Sequence, residues 1–205
     1  LEGTAGMPLG DRFPGSPRYR PLRRLGAGSM GVVWAVEDRL RGGQVALKAL
    51  HWAEGEHLYR LKAEFRGLRD IAHPHLVQLL ELTVGDAGPF FTMELLDGVD
   101  LVTHARAGAT ARGGGPLDAL EAQALRGHIR QLVEGIAALH RAGRLHRDIK
   151  PTNTLVTREG RAVLLDFGLS APLDAHARAE SDRLVGTIGY MAPEQGLGTA
   201  AGPAA

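Results

Sequence analysis

The sequence predicts an α+β chain, with strand-like runs and one helix in its first half and a second helix followed by a polar loop in its second. Three observations support this. Strand-like, β-branched runs flank a glycine-rich turn; apolar residues recur at helical spacing in two later stretches; and a polar loop near residue 150 is followed by a short hairpin pattern that ends in an acid.

The elements follow in chain order. Leu25-Gly26-Ala27-Gly28-Ser29-Met30-Gly31-Val32-Val33 fits G-x-G-x-x-G-x-V. In a dinucleotide-binding turn the third glycine would open a helix. Here Val32-Val33-Trp34-Ala35-Val36 follows, so the glycines join two strands. Such a hairpin can lie close over a phosphate chain, because no Cβ keeps its backbone N–H groups away. Val45-Ala46-Leu47-Lys48 reads as the next strand, with Ala46 and Lys48 on one face. The alternative is a surface strand with a solvated lysine.

Leu58, Leu61, Phe65 and Leu68 recur at helical spacing within residues 56–70, an amphipathic helix. Glu64 lies on the edge of that stripe, where it could reach Lys48; Glu56 is the rival. Residues 76–81 and 90–94 read as strands around Gly85-Asp86-Ala87-Gly88. Residues 103–116, small and glycine-rich, read as a loop. Asp118-Ala119-Leu120-Glu121 reads as a capping box, and Leu125, Ile129, Leu132, Val133, Ile136 and Leu139 continue a helix toward His140.

That helix leads into His146-Arg147-Asp148-Ile149-Lys150-Pro151-Thr152-Asn153, and Asp166-Phe167-Gly168 comes after one hairpin. A potential base, a lysine and an amide within one loop, with a second carboxylate returned beside them, are parts for metal-assisted phosphoryl transfer. Composition supports specific roles for these residues. The chain has 3 lysines among its 24 basic residues and 1 asparagine. Two of the lysines are Lys48 and Lys150, and the asparagine is Asn153. A compact ammonium and an amide oxygen are chemically unlike the guanidinium this chain uses elsewhere.

These motifs, in this order, resemble those of the eukaryotic-type serine/threonine protein kinase family, in its bacterial branch. The resemblance covers about residues 19–195 and implies a bilobal fold, an N-lobe of antiparallel sheet with one helix and a mainly helical, incomplete C-lobe. It implies that Leu25 to Val33, with Val33, Ala46 and Leu155 around the adenine, grip ATP; that Lys48, held by Glu64, reaches the α and β phosphates; and that Met93 is the gatekeeper, with Glu94 to Leu96 the hinge. Asp100 would contact the ribose or a basic substrate residue. Asp148 would be the base, Lys150 would neutralise the moving phosphoryl group, and Asp166 and Asn153 would hold Mg²⁺. Leu68, Leu79, His146 and Phe167 occupy positions of the family's regulatory stack, and could equally be plain core.

The D-x-K-P-x-N spelling, with Thr187, resembles kinases that act on serine or threonine, so the implied partner is a protein with such an acceptor. Residues 166–194 would form an activation segment, with Arg147 placed to pair with a phosphate and Ser181 the candidate for trans-autophosphorylation. Met191-Ala192-Pro193-Glu194-Gln195 closes it in a bacterial manner.

The expected organisation is a flexible lead-in over residues 1–18, which lacks a signal-peptide pattern and starts without methionine, then a kinase domain over 19–205. Within it an N-lobe would span about 19–94, a partial C-lobe about 95–195 and a low-complexity tail 196–205. Family domains run to roughly 250 to 300 residues, a size suited to two cores. The later helices are therefore expected to be missing, which would expose apolar surface on the 118–140 helix. One alternative follows, a kinase-like nucleotide-binding or regulatory module silent through truncation; another, a small-molecule kinase, fits the 186–194 segment poorly.

A net charge of +1 and 44% hydrophobic residues fit a cytoplasmic globular protein and give no reason to expect a nucleic-acid partner. Cysteine is absent, which excludes disulfides and thiol chemistry. No apolar run approaches the roughly 18 residues a membrane helix needs.

Overall fold

The computed structural model describes Phe13 and residues 16–28, 31–51, 55–85, 88–146, 148–166 and 189–190. The chain divides into two compact units, Leu1–Asp70 with Gln78–Leu95, and Ile71–Val77 with Leu96–Ala205.

The first unit holds strands β1 (Tyr19–Gly28), β2 (Gly31–Asp38), β3 (Gln44–Leu50), β4 (Leu79–Gly85) and β5 (Gly88–Glu94), and helix α1 (Gly55–Arg69). Among the described residues the strands form one antiparallel sheet in the order β1-β2-β3-β5-β4. Val33 pairs with Lys48, Ala35 with Ala46, Ala46 with Met93 and Lys48 with Phe91. Directly paired residues point to the same side of an antiparallel sheet, so these six side chains share one face.

The other face forms an apolar cluster of Tyr19, Val36, Leu47, Ala49 and Phe90, with Phe13, Trp34 and Val45 packed on it. Aromatic rings meet there edge to face, Tyr19 on Phe90 at 5.8 Å and Phe13 on Trp34 at 5.9 Å. Helix α1 covers the Lys48 face, since its Phe65 ring stands 6.0 Å from Phe91, the cross-strand partner of Lys48. Leu61, Phe65 and Leu68 are buried, as their spacing predicts.

A polar clasp closes the sheet at one end. Arg18 takes both carboxylate oxygens of Asp38, at 2.8 and 2.6 Å, and reaches Glu81 at 2.5 Å. Arg41 binds the other oxygen of Glu81. Asp38 is 3% exposed, and Arg18 first, with the N–H groups of Leu40 and Arg41, holds its pKa down at about 2 against the effect of burial. Arg18, read from sequence as the end of a lead-in, is thus bonded into this unit.

The second unit holds helices α2 (Leu101–Ala111) and α3 (Ala119–Arg141), and strands β6 (Gly98–Asp100), β7 (Thr154–Thr157) and β8 (Ala162–Leu164) in the order β6-β7-β8. Two sequence expectations change here. Residues 103–116 were expected to form a loop, yet α2 runs through Ala111. Asp100 caps it, and alanines at 105, 107, 109 and 111 are the strongest helix formers; Ala109 is fully buried. The loop proper is Gly113-Gly114-Gly115, all at positive φ. The strand expected over 76–81 starts at Leu79, because Leu76 and Val77 pair with Leu164 in the second unit.

Helix α3 has the predicted capping box. Asp118 accepts from the Glu121 N–H at 2.9 Å, and Glu121 accepts from the Asp118 N–H at 2.8 Å. Leu132 and Leu139 of its apolar stripe are buried, whereas Ile129 and Val133 are exposed. Among the described residues no helix is long and apolar enough to cross a membrane.

Candidate active site

The first unit carries a glycine hairpin and a lysine. β1 and β2 pair down to Gly28 opposite Gly31. A Cβ on Gly31, at φ 154°, would lie 2.0 Å from the Ala49 carbonyl oxygen, so only glycine fits. At Gly26 and Gly28 nothing among the described residues lies within 4 Å of where a Cβ would point. The two glycines are therefore not required by packing; they leave open backbone, which suits a ligand passing over it. Leu25 is partly exposed beside them, while Ser29 and Met30 lie outside the described residues.

Lys48 and Ala46, each 4% exposed, share their face with Val33 and Met93. Val32 does not. Strand alternation turns it to the opposite face, where it is fully buried, so its place in the glycine motif is one of packing. Glu64 is half-buried on α1, one residue before the Phe65 that packs on the Lys48 face; the Glu56 side chain lies outside the described residues.

Glu94 ends β5. Its N–H donates to the Gln78 carbonyl and its carboxylate accepts from the Gln78 N–H, both at 3.0 Å. The Gln78 amide donates in turn to the Arg69 carbonyl at 2.9 Å, tying the end of α1 to the end of β5. Sequence reading passed over Gln78, and no local motif marks it. Leu96 is half-buried where the second unit begins.

The second unit carries the polar loop. His146 is 2% exposed. Its Nε2 faces the Leu165 carbonyl at 2.8 Å, and its Nδ1 faces the Asp148 N–H at 3.3 Å. A carbonyl requires a proton on Nε2 and an N–H requires a lone pair on Nδ1, so the ring is the neutral Nε2–H tautomer. Burial pushes its pKa below the ordinary imidazole value, in agreement.

Asp148 is held from two sides. Its Oδ2 accepts from Lys150 Nζ at 2.8 Å and from Asn153 Nδ2 at 2.8 Å. Asn153 Nδ2 also donates to the Asp148 main-chain oxygen at 2.9 Å. Both amide protons of Asn153 are thus committed to Asp148, which leaves the amide oxygen as the atom able to meet a cation. The sequence folds this way because Pro151 opens a 3-10 turn over Pro151–Asn153, closed by the Asn153 N–H on the Lys150 carbonyl at 2.9 Å.

The β7–β8 hairpin then returns the chain, and the Leu165 N–H donates to the Asn153 carbonyl at 2.7 Å. Asp166 is next in line. It adopts φ 51°, a left-handed conformation that aspartate tolerates better than most residues and that costs roughly 1–2 kcal/mol. Such strain persists where the surroundings fix it, and here the backbone bond at Leu165 does so immediately before it. Leu155 is half-buried on β7, opposite Asp100 and Val163.

A family model described as the protein kinase domain matches residues 19–202. The chain belongs to the protein kinase family. This kinase domain is 37% identical over 188 residues to the serine/threonine-protein kinase Pkn1 of Myxococcus xanthus, covering 88% of the chain and 26% of the relative. It is 34% identical over 198 residues to the serine/threonine-protein kinase PknE of Mycobacterium tuberculosis, covering 95% of the chain and 33% of the relative. It therefore spans a third or less of the length of these curated relatives. The crystal structure of a cysteine-to-alanine mutant of the Mycobacterium tuberculosis PknI kinase domain superposes with TM-score 0.67 at 27% identity, over 91% of this chain and 68% of that one.

One residue singled out by the resemblance has another use in this kinase domain. Asp100 N-caps α2, accepting from the Thr103 N–H at 3.0 Å and the Thr103 hydroxyl at 2.5 Å. These bonds, the hydroxyl first, hold its carboxyl below the usual range. Arg147, Phe167, Ser181, Thr187 and the 191–195 stretch lie outside the described residues.

Proposed function

We propose that this kinase domain transfers the γ-phosphoryl group of Mg-ATP to a serine or threonine hydroxyl of a protein. The observation that carries the reading is the clamp on Asp148, a carboxylate fixed at 2.8 Å by both Lys150 and Asn153. Asp148 orients the acceptor hydroxyl and takes its proton as the bond to phosphorus forms. Lys150, released toward the substrate, balances charge on the transferring group. Lys48 is a buried cation on the face that Val33, Ala46 and Met93 line with apolar groups, which supports a phosphate grip there with the adenine beside it. Gly26 and Gly28 offer open backbone to the phosphates.

The donor set fits magnesium. The Asn153 amide oxygen and the Asp166 carboxylate are hard oxygen ligands, and Mg²⁺ typically takes one or two such groups and completes its shell with phosphate and water. When bound, the ion neutralises phosphate charge as the terminal group departs.

The lysine of D-x-K-P-x-N and the printed names of the relatives support serine and threonine as acceptors, and ATP dependence supports a cytoplasmic site of action in bacterial signalling. Autophosphorylation in trans at Ser181 belongs to the same reading. The test is transfer of labelled γ-phosphate from Mg-ATP to a generic basic protein, followed by phosphoamino-acid analysis. Phosphoserine or phosphothreonine is expected. ATP binding with no transfer from the protein or from a C-terminally extended form would instead establish a nucleotide-binding module.

A further inference from the structure

Helix α2 meets α3 through an imidazole pair that phosphoryl transfer leaves unused. His104 and His128 meet edge to face, with ring centroids 4.9 Å apart and planes at 81°. His128 is 7% exposed, and its Nδ1 is buried with no hydrogen-bond partner among the described residues. A neutral ring tolerates this arrangement by carrying its proton on Nε2 and leaving Nδ1 as a lone pair. An imidazolium cannot, because both nitrogens then carry protons and the charge has no partner.

Among the described residues the surroundings offer no counter-charge. On α2, Arg106 is turned to the Gly115 carbonyl, and Arg112, which caps its C-terminus, is bound by Asp118 and Glu121 at the start of α3. β8, packed on α3, brings Ala162, Val163 and Leu164, none of which titrates. The charge that bears on His128 is that of His104, of the same sign. Relief for a protonated His128 is to reach water, and that requires α2 to lift from α3.

We propose that His104 and His128 form a proton-sensitive latch, closed while His128 is neutral and released on its protonation, that governs docking of α2. The consequence extends beyond the helix pair. α2 also packs on β6, on β7, which carries Leu155, and on the 3-10 turn Pro151–Asn153. Any effect on catalysis rests on the proposed kinase reading; the latch itself does not. Burial first, then His104, lowers the His128 pKa while α2 is docked. Docking is therefore strongest above the ordinary imidazole value, and the opening constant rises up to roughly tenfold per pH unit below it.

Hydrogen exchange of the α2 amides, corrected for intrinsic rates and measured at pH 7.5 and 5.5, reads the latch without any activity assay. Protection of α2 is expected to fall by more than about twofold and up to about tenfold at the lower pH while α1 changes little, and His128→Gln should abolish the fall. Should that variant not fold, ring NMR of the unaltered protein is expected to show His128 gaining its proton in step with loss of α2 protection. Protection equal within about twofold at both pH values, a fall that persists in His128→Gln, or protonation of His128 with α2 still protected would each overturn the proposal.

Discussion

Replacing Asn153 separates the two roles proposed for its side chain. Its amide donates to the Asp148 carboxylate at 2.8 Å and to the Asp148 carbonyl at 2.9 Å, and its oxygen is left for a cation. Asn153→Ala removes one bond to a charged group, worth about 1.5–3 kcal/mol, and one neutral bond of about 1 kcal/mol. If the lost positioning is expressed in the transition state, about 3 kcal/mol corresponds to roughly a hundredfold in kcat. Asn153→Asp is more diagnostic, since it keeps an oxygen for the ion but sets a second carboxylate against Asp148. Two such charges about 4 Å apart repel by about 4 kcal/mol at an effective dielectric constant near 20. Steady-state transfer rates at saturating Mg²⁺, with thermal melts to confirm folding, should therefore place Asn153→Asp at least as low as Asn153→Ala. An Asn153→Asp enzyme within about threefold of the unaltered one would refute the clamp and leave Asn153 as a metal ligand alone.

Other predictions follow from single contacts. Gly31→Ala should cost at least about 2–3 kcal/mol in thermal or denaturant unfolding, because its Cβ would lie 2.0 Å from the Ala49 oxygen. Gly28→Ala, with open space around it, should change stability by less than about 0.5 kcal/mol yet raise the KM for ATP; an unchanged KM would remove Gly28 from the nucleotide grip. Asp100→Ala should cost about 1 kcal/mol through the lost cap of α2 and leave the KM for ATP within about threefold, whereas a large rise in KM would restore a nucleotide contact. Asp38 titrates lower in the folded chain, at about 2, than its ordinary 3.8. Its contribution of about 2 kcal/mol is thus complete above the ordinary value and lost as pH falls through about 2. Acid unfolding followed in Asp38→Asn should lack that increment.

Where the fold could be read from sequence, the information was local and periodic. The Gly31-Val32-Val33 strand, the Leu61-Phe65-Leu68 stripe and the Asp118–Glu121 capping box each declare themselves within a few residues. Helix α2 did not, because alanine and glycine together look like linker text, and the resemblance gives the aspartate that caps it a ligand role instead. Leu76 and Val77 fall in the other unit for a related reason. Their partner, Leu164, lies far along the chain, and alternation alone cannot name a partner. The same limit hid the Arg18–Asp38–Glu81 clasp and the His104–His128 contact, which join residues well separated in sequence.

The residues of the site were legible through motifs in a fixed order, and the rarity of some of them in this chain adds support. Lys48, Lys150 and Asn153 are rare residue types here, and all three are at most half-exposed. What sequence could not supply was their bonding. That both protons of the Asn153 amide go to Asp148, and that His146 is a neutral Nε2–H ring, follow only from atomic positions. Val32 marks the reverse case, a motif residue whose side chain belongs to the core.

The proposed role of Asp148 is on the acceptor hydroxyl and not on the nucleotide. The direct measurement is Asp148→Asn, with ATP affinity and the single-turnover rate of phosphoryl transfer determined on the same folded preparation. ATP affinity is expected to stay within about threefold of the unaltered protein, with a transfer rate lower by roughly 10²–10⁴-fold, the range of a positioned general base. Transfer at an undiminished rate, or loss of ATP binding in parallel with transfer, would contradict it.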